Sequence, residues 1–122
     1  MAVIESRVRT NFIHTLELAC TVPHGATTLT HTTAKWITGY VDRVVAIPSA
    51  VATKFASGFG FTMTDNDNVD ILKGGGNSCP TTTTTDIYPD YSLNSKLTLA
   101  LSAAGTNGAH GTIKIFWRES ND

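Results

Sequence analysis

Charge is scarce in this sequence. Asp, Glu, Lys and Arg make up 16% of its 122 residues, against a norm of about 25% for globular domains. Lys and Arg nearly balance Asp and Glu, for a net charge of −1, so no overall field draws the chain toward nucleic acid or an anionic membrane. The few acids are clustered: residues 65–90 hold Asp65, Asp67, Asp70, Asp86 and Asp90 against Lys73 alone. That stretch would repel a phosphate backbone, so nucleic acid is not an expected partner. No run approaches the roughly 18–20 apolar residues of a spanning helix, and no membrane partner is expected. Met1-Ala2-Val3-Ile4-Glu5-Ser6-Arg7 lacks the cationic stretch and apolar core of a secretory signal, so the expectation is a protein that bypasses that route. Only Cys20 and Cys79 could form a disulfide. Two cysteines show no framework spacing, and the favoured state is two unpaired thiols with Cys20 in the core.

Catalytic signatures are also missing. Glu5, Glu17 and Glu119 are the only glutamates, and nothing in their order sets two carboxylates side by side. Ser57-Gly58 lacks the Gly-x-Ser-x-Gly elbow of a hydrolase. Lys73-Gly74-Gly75-Gly76-Asn77-Ser78 lacks the Gly-Lys-Ser/Thr ending of a phosphate loop, and Pro80 forbids the helix that should follow; a flexible or closely approached loop is expected instead. His14, His24, His31 and His110 never fall at metal-ligand spacing, and no Cys-x-x-Cys accompanies them. Asp65-Asn66-Asp67-Asn68-Val69-Asp70 has calcium-like oxygen spacing, but an EF-hand needs glycine sixth and glutamate twelfth, where this chain has Asp70 and Gly76. The expected structure there is a tight turn with Asx side chains capping their own backbone. Asp65, Asp67 and Asp70 stay weak candidates for a surface cation site. No cofactor and no enzymatic activity are expected, with a small hydrolase as an alternative.

What the chain does have is threonine and a two-residue period. Apolar content is an ordinary 41%, enough for one core. Phe12, Leu16, Leu18 and Cys20 share one phase, with His14 as the polar exception. Phe59, Phe61 and Met63 share another, as do Leu97, Leu99 and Leu101, and Ile113, Ile115 and Trp117. Val69-Asp70-Ile71-Leu72 reads as a further short strand. Between the last two periodic runs, Ser102–Gly111 carries Gly105, Asn107-Gly108 and Gly111, which predicts a hairpin with a long bulged loop. Lys35–Ile47 admits a helix through Trp36, Tyr40, Val44 and Ile47, but Gly39 and the β-branched cluster favour a long buried strand. Thr81–Thr85 predicts an exposed edge strand or an arm that adds to a neighbour's sheet. All four prolines fall between the periodic runs. The expectation is all-β: one domain over 1–122, an antiparallel sandwich or jelly-roll-like barrel of about six to eight strands with long end loops.

Residues 36–117 resemble a family of small tailed-phage virion proteins that decorate, or cement, the capsid. The matching pieces are Thr38-Gly39-Tyr40-Val41-Asp42-Arg43-Val44, Phe59-Gly60-Phe61-Thr62-Met63-Thr64-Asp65, and Val69-Asp70-Ile71-Leu72 with its glycine-rich sequel. Leu97-Thr98-Leu99 and Gly111-Thr112-Ile113-Lys114-Ile115 complete the pattern. The family often has a glycine where this chain has Asn68. The resemblance implies a β-sandwich that binds the major capsid protein on the outer surface and stabilises the shell, often as a homotrimer at three-fold positions. It implies a protein made in the host cytoplasm and located on the virion. On that reading residues 1–11 form an extended arm reaching a neighbour. Contacts are expected at Ile4, Arg7 and Arg9 in the arm, and at Trp36, Thr83, Tyr88 and Tyr91, since aromatics and arginine are enriched in interface cores. The alternative in the same class is a phage tail or fibre module that binds a host glycan or protein.

Overall fold

The alternating apolar positions become strands that face one shared core. The computed structural model describes residues 3–10, 13–22, 28–48, 55–56, 58–80, 83–102 and 109–118. Among them are nine strands: β1 (Val3–Thr10), β2 (Ile13–Thr21), β3 (Leu29–Thr32), β4 (Ile37–Pro48), β5 (Gly60–Thr64), β6 (Thr85–Ile87), β7 (Tyr91–Ser95), β8 (Thr98–Ser102) and β9 (His110–Arg118). A six-stranded sheet runs β1-β2-β9-β4, after which β4 pairs with both β6 and β7; a three-stranded sheet runs β3-β8-β5. Every pairing is antiparallel. The sheets do not close into a barrel. This is a sandwich, and no helix occurs among the described residues.

The core is the inner face of both sheets. Leu16, Leu18 and Cys20 of β2, Ile113, Ile115 and Trp117 of β9, and Val41 and Val44 of β4 meet Leu97, Leu99 and Leu101 and the trio Phe59, Phe61 and Met63. Each large side chain removed from water contributes about 1.5–3 kcal/mol. Cys20 and Cys79 are buried, unpaired thiols; burial pushes Cys20 up to about 12 and raises Cys79 as well.

The long stretch before Pro48 is a strand, and its mixed period has a cause. Ile37, Gly39 and Val41 are buried in one phase, Val44 and Ala46 in the other. The β4–β9 register shifts between Val41 and Arg43. A bulge there inserts one residue and reverses the alternation, which makes buried positions fall at near-helical spacing. β4 also changes partner at the bulge, from β7 along Ile37–Val41 to β6 along Val44–Ala46.

Several expectations need correction. Ser102–Gly111 does not close a hairpin: β8 pairs with β3 and β5, β9 with β2 and β4, so the chain crosses between sheets. Both runs bury one face, and facing each other across the core satisfies that pattern as well as lying side by side. Val69–Leu72 is not a strand beyond an isolated bridge from Asp70 to Thr64. Asn68 (φ 61), Lys73 (φ 53) and Gly74 (φ 82) turn the chain away from extended geometry. Leu29–Thr32 and Tyr91–Ser95, outside the periodic runs, are strands as well. Pro48 ends β4 rather than standing outside it.

The expected N-terminal arm is likewise part of the sandwich. Val3–Thr10 pairs along its whole length with β2 and forms an edge of the larger sheet. Its polar-looking sequence is an inverted alternation. Glu5 and Arg7 turn to the core side, while Ile4 and Val8 face outward and are 66% and 59% exposed.

Candidate interaction surface

The seven residues expected at an interface divide between opposite edges of the six-stranded sheet. Ile4, Arg7 and Arg9 lie on β1, and Trp36 lies close by, its carbonyl accepting a hydrogen bond from Arg7 at 3.4 Å. Thr83, Tyr88 and Tyr91 lie at the far edge, in or beside β6 and β7. With strands about 4.8 Å apart, the β2 and β9 strands between β1 and β4 put the two groups on separate patches. Trp36 and Tyr88 are exposed, but Tyr91 is half-buried against the core. Of the threonine run, Thr85 opens β6, Thr83 and Thr84 are exposed outside any strand, and residues 81–82 lie outside the described residues.

Polar side chains clasp the two sheets together at both edges. At the β1 edge, Glu5 Oε2 lies 2.5 Å from Nε2 of His31 on β3 and accepts from the Ala34 amide at 2.9 Å. Arg7 donates to the Lys35 carbonyl at 3.0 Å and sits over the Trp117 ring, which stacks on His14 at 5.0 Å. A cleft of about 350 Å³ opens beside this clasp, lined by Val3, Ile4, Glu5, His31, Thr32 and Ala34. At the far edge the Tyr91 hydroxyl donates to Asp65 Oδ2 at 2.8 Å, joining β7 to the turn after β5.

That turn accounts for the Asp/Asn cluster. Asp65 Oδ1 accepts from the amides of Asp67 (2.9 Å) and Val69 (3.1 Å), the Asx cap expected of the sequence. Asn68 takes the left-handed conformation that glycine supplies elsewhere, which asparagine tolerates better than most residues. Asp70 accepts from the amides of Met63, Leu72 and Gly74. Two of the three candidate cation ligands are therefore acceptors for their own backbone. No metal-holding group of His, Cys, Asp or Glu occurs among the described residues. The glycine-rich loop is closely approached: the Gly76 carbonyl accepts from the Phe61 amide at 2.8 Å, and a Cβ on Gly76 would come within 2.5 Å of the Phe61 oxygen.

The Asp65 clasp carries a pH signature. The Val69 amide, then the Tyr91 hydroxyl, hold the Asp65 carboxyl below its usual range, and the same bond pushes the Tyr91 phenol up. A carboxyl depressed by folding stabilises the fold above its unfolded pKa of about 3.9, and that stability is lost as pH falls through the lower folded value. A raised phenol stabilises below its unfolded pKa of about 10 and loses that as pH rises through the folded value. Tyr91→Phe is therefore expected to lower stability at neutral pH and to shrink the acid-side loss. Urea titrations between pH 2 and 7 measure both; equal acid dependence in variant and parent would remove the clasp from the account.

Among the described residues, His31 and His110 do not share a hydrolytic triad. Glu5–His31 is an acid–imidazole pair on the inner side, whereas Thr21 Oγ1–His110 Nδ1 (3.1 Å) is a hydroxyl–imidazole pair on the outer face. No hydroxyl is bonded to His31 among the described residues. His24 lies outside them.

The outer face of the larger sheet has two characters. Toward β4 its charges are paired or laid on rings. Arg118 binds Asp42 through two bonds (2.7 and 3.0 Å) and covers Tyr40, while Arg43 pairs with Asp86 at 2.6 Å and covers Phe116. Toward β1 it carries Ile4, Val8 and Ile13, all exposed, among Ser6, Thr10 and Thr15. Nothing in the sequence period singled out Val8, which lies in the inverted alternation of β1, or Ile13, which opens β2 in its outward phase.

Comparison with protein-family models, curated proteins and solved structures finds no match. The surface must be read on its own chemistry.

Proposed function

We propose that the protein is a structural virion component that binds the major capsid protein on the outer surface of a phage shell and stabilises it as a decoration protein. The observation that carries this reading is the apolar and hydroxyl-rich stripe Ile4, Val8, Ile13, Thr10 and Thr15 beside a face whose charges are already paired. Threonine and aliphatic side chains surrender little hydration on contact, and a two-sheet core supplies a rigid support for them. The decoration-protein resemblance, over residues 36–117, spans β4 to β9 and so most of the core behind the stripe, while the stripe itself lies on β1 and β2. A weak contact of this kind becomes secure when copied over a symmetric shell, where each docked copy raises the retention of the whole coat. Trimers at three-fold positions are the arrangement the resemblance implies.

Quantitative electrophoresis of purified particles, with labelled-antibody electron microscopy for location, tests the proposal. Hundreds of copies spread over the shell, and particles that leak genome at lower temperature when the gene is deleted, are expected. A handful of copies confined to the tail would instead assign the protein to a tail or fibre module.

A further inference from the structure

From the edge strand we infer a second interaction: two copies of this chain join β1 to β1 in antiparallel register, about a two-fold axis at Ser6, fusing their six-stranded sheets into one. The inference stands on β1 itself and does not depend on the capsid reading.

β1 is a long edge, eight residues paired with β2 on one side and, among the described residues, with nothing on the other. Its backbone donors and acceptors on that side form a template for another strand. It has no proline and no bulge against β2, two of the usual devices that block such addition. The remaining device is inward charge, supplied by Glu5 and Arg7. Self-pairing can satisfy that charge in one register only.

An antiparallel pair related by a two-fold axis keeps both inner faces on the same side, so some residue must face its own copy. If Glu5 faces Glu5, two carboxylates oppose each other; if Arg7 faces Arg7, two guanidiniums do. With Ser6 facing Ser6, Glu5 lies opposite Arg7 of the second copy and Arg7 opposite its Glu5, on the inner side. Ile4 then lies opposite Val8 and Val8 opposite Ile4 on the outer side, setting together the two most exposed aliphatic side chains of the strand. Val3 comes opposite Arg9 of the second copy. Shifting to Val8 facing Val8 sets Arg7 against Arg9. Charge and apolar pairing therefore agree on one register. Arg7 is suited to it, since its bonds among the described residues are to neutral carbonyls.

On an icosahedral shell, two-fold axes lie between neighbouring three-folds, so this contact would tie trimers into a net rather than compete with them.

The test uses the whole purified chain. Sedimentation over micromolar to millimolar concentrations is expected to show reversible association of the 13.0 kDa chain, with Val8→Lys weakening it at least tenfold. Val8 is solvent-exposed, so that variant keeps its core, which circular dichroism verifies. Register is read by cysteine cross-linking. Facing residues in an antiparallel pair sit about 4.5–5.5 Å apart, within disulfide reach. Ser6→Cys is expected to form a disulfide-linked dimer under mild oxidation, whereas Thr10→Cys, which faces no copy of itself, does not. The native Cys20 and Cys79 are buried and give a quiet background. A monomer throughout, an oligomer indifferent to Val8→Lys, or cross-linking no faster at position 6 than at position 10 would each overturn the inference. None of these outcomes bears on particle location, so the capsid proposal stands or falls separately.

Discussion

Gly39→Ala is expected to destabilise the fold by about 3–5 kcal/mol, a large share of the roughly 5–15 kcal/mol that holds a domain together. Gly39 lies on β4 with φ +145, a conformation that side chains rarely adopt and that costs about 1–3 kcal/mol for a non-glycine residue. The added Cβ would lie 2.1 Å from the Arg118 carbonyl oxygen and 3.2 Å from Trp117 Cδ1. The oxygen belongs to the backbone of β9, so relief requires β4 and β9 to separate where they form the middle of the larger sheet. That overpacking adds about 1–3 kcal/mol. Gly58→Ala is the matched control. Its φ is +80, but the nearest atom to a new Cβ is Ser78 Oγ at 3.9 Å, so only the backbone cost of about 1 kcal/mol applies. Urea unfolding with unchanged m-values separates the two. Equal losses would mean that close approach to β9 is not the reason for glycine at position 39.

Position 39 also marks what was legible in the sequence. It was visible there only as a glycine inside a β-branched run, which argued against a helix but gave no hint of the strand behind it. The strands whose alternation is uninterrupted, such as Phe59-Phe61-Met63 and Ile113-Ile115-Trp117, could be read directly, because one face is buried along their whole length. β4 was readable as a strand by propensity but not by period, since the bulge between Val41 and Arg43 reverses its phase. β1 was misread because the usual rule runs backward in it. Glu5 faces inward, where His31 and the Ala34 amide satisfy it, and these partners lie 26 and 29 residues away. No local pattern encodes a pairing of that length. The same limit applies to the crossover from β8 to β9: a glycine-rich connection signals a turn, but sheet membership is set by what covers each strand's apolar face. The Asx turn at Asp65 was legible because its bonds are local. Its tie to Tyr91 was not.

Phe61→Ala is expected to cost about 3–5 kcal/mol, the range for removing a buried aromatic ring. Phe61 is 2% exposed on β5, opposite Leu101, and its ring stacks loosely on Phe59 with centroids 6.5 Å apart. It also serves as the wall against which the glycine-rich loop lies, since a Cβ on Gly76 would come within 2.9 Å of its ring. Deleting the ring leaves a cavity and unseats residues 72–77, so limited proteolysis is expected to cut within that loop in the variant before the sandwich unfolds. Phe61→Leu keeps most of the volume and should cost about 1.5 kcal/mol or less. The two large effects arise in different sheets: Gly39 meets Arg118 and Trp117, and Phe61 meets Phe59, Leu101 and Gly76. Sites without shared neighbours add to within about 0.5 kcal/mol, so the Gly39→Ala, Phe61→Ala double variant should lose about 6–10 kcal/mol. A double-variant loss in urea well short of the sum of the two single losses would show that the core couples the two sheets more tightly than their separate contacts imply.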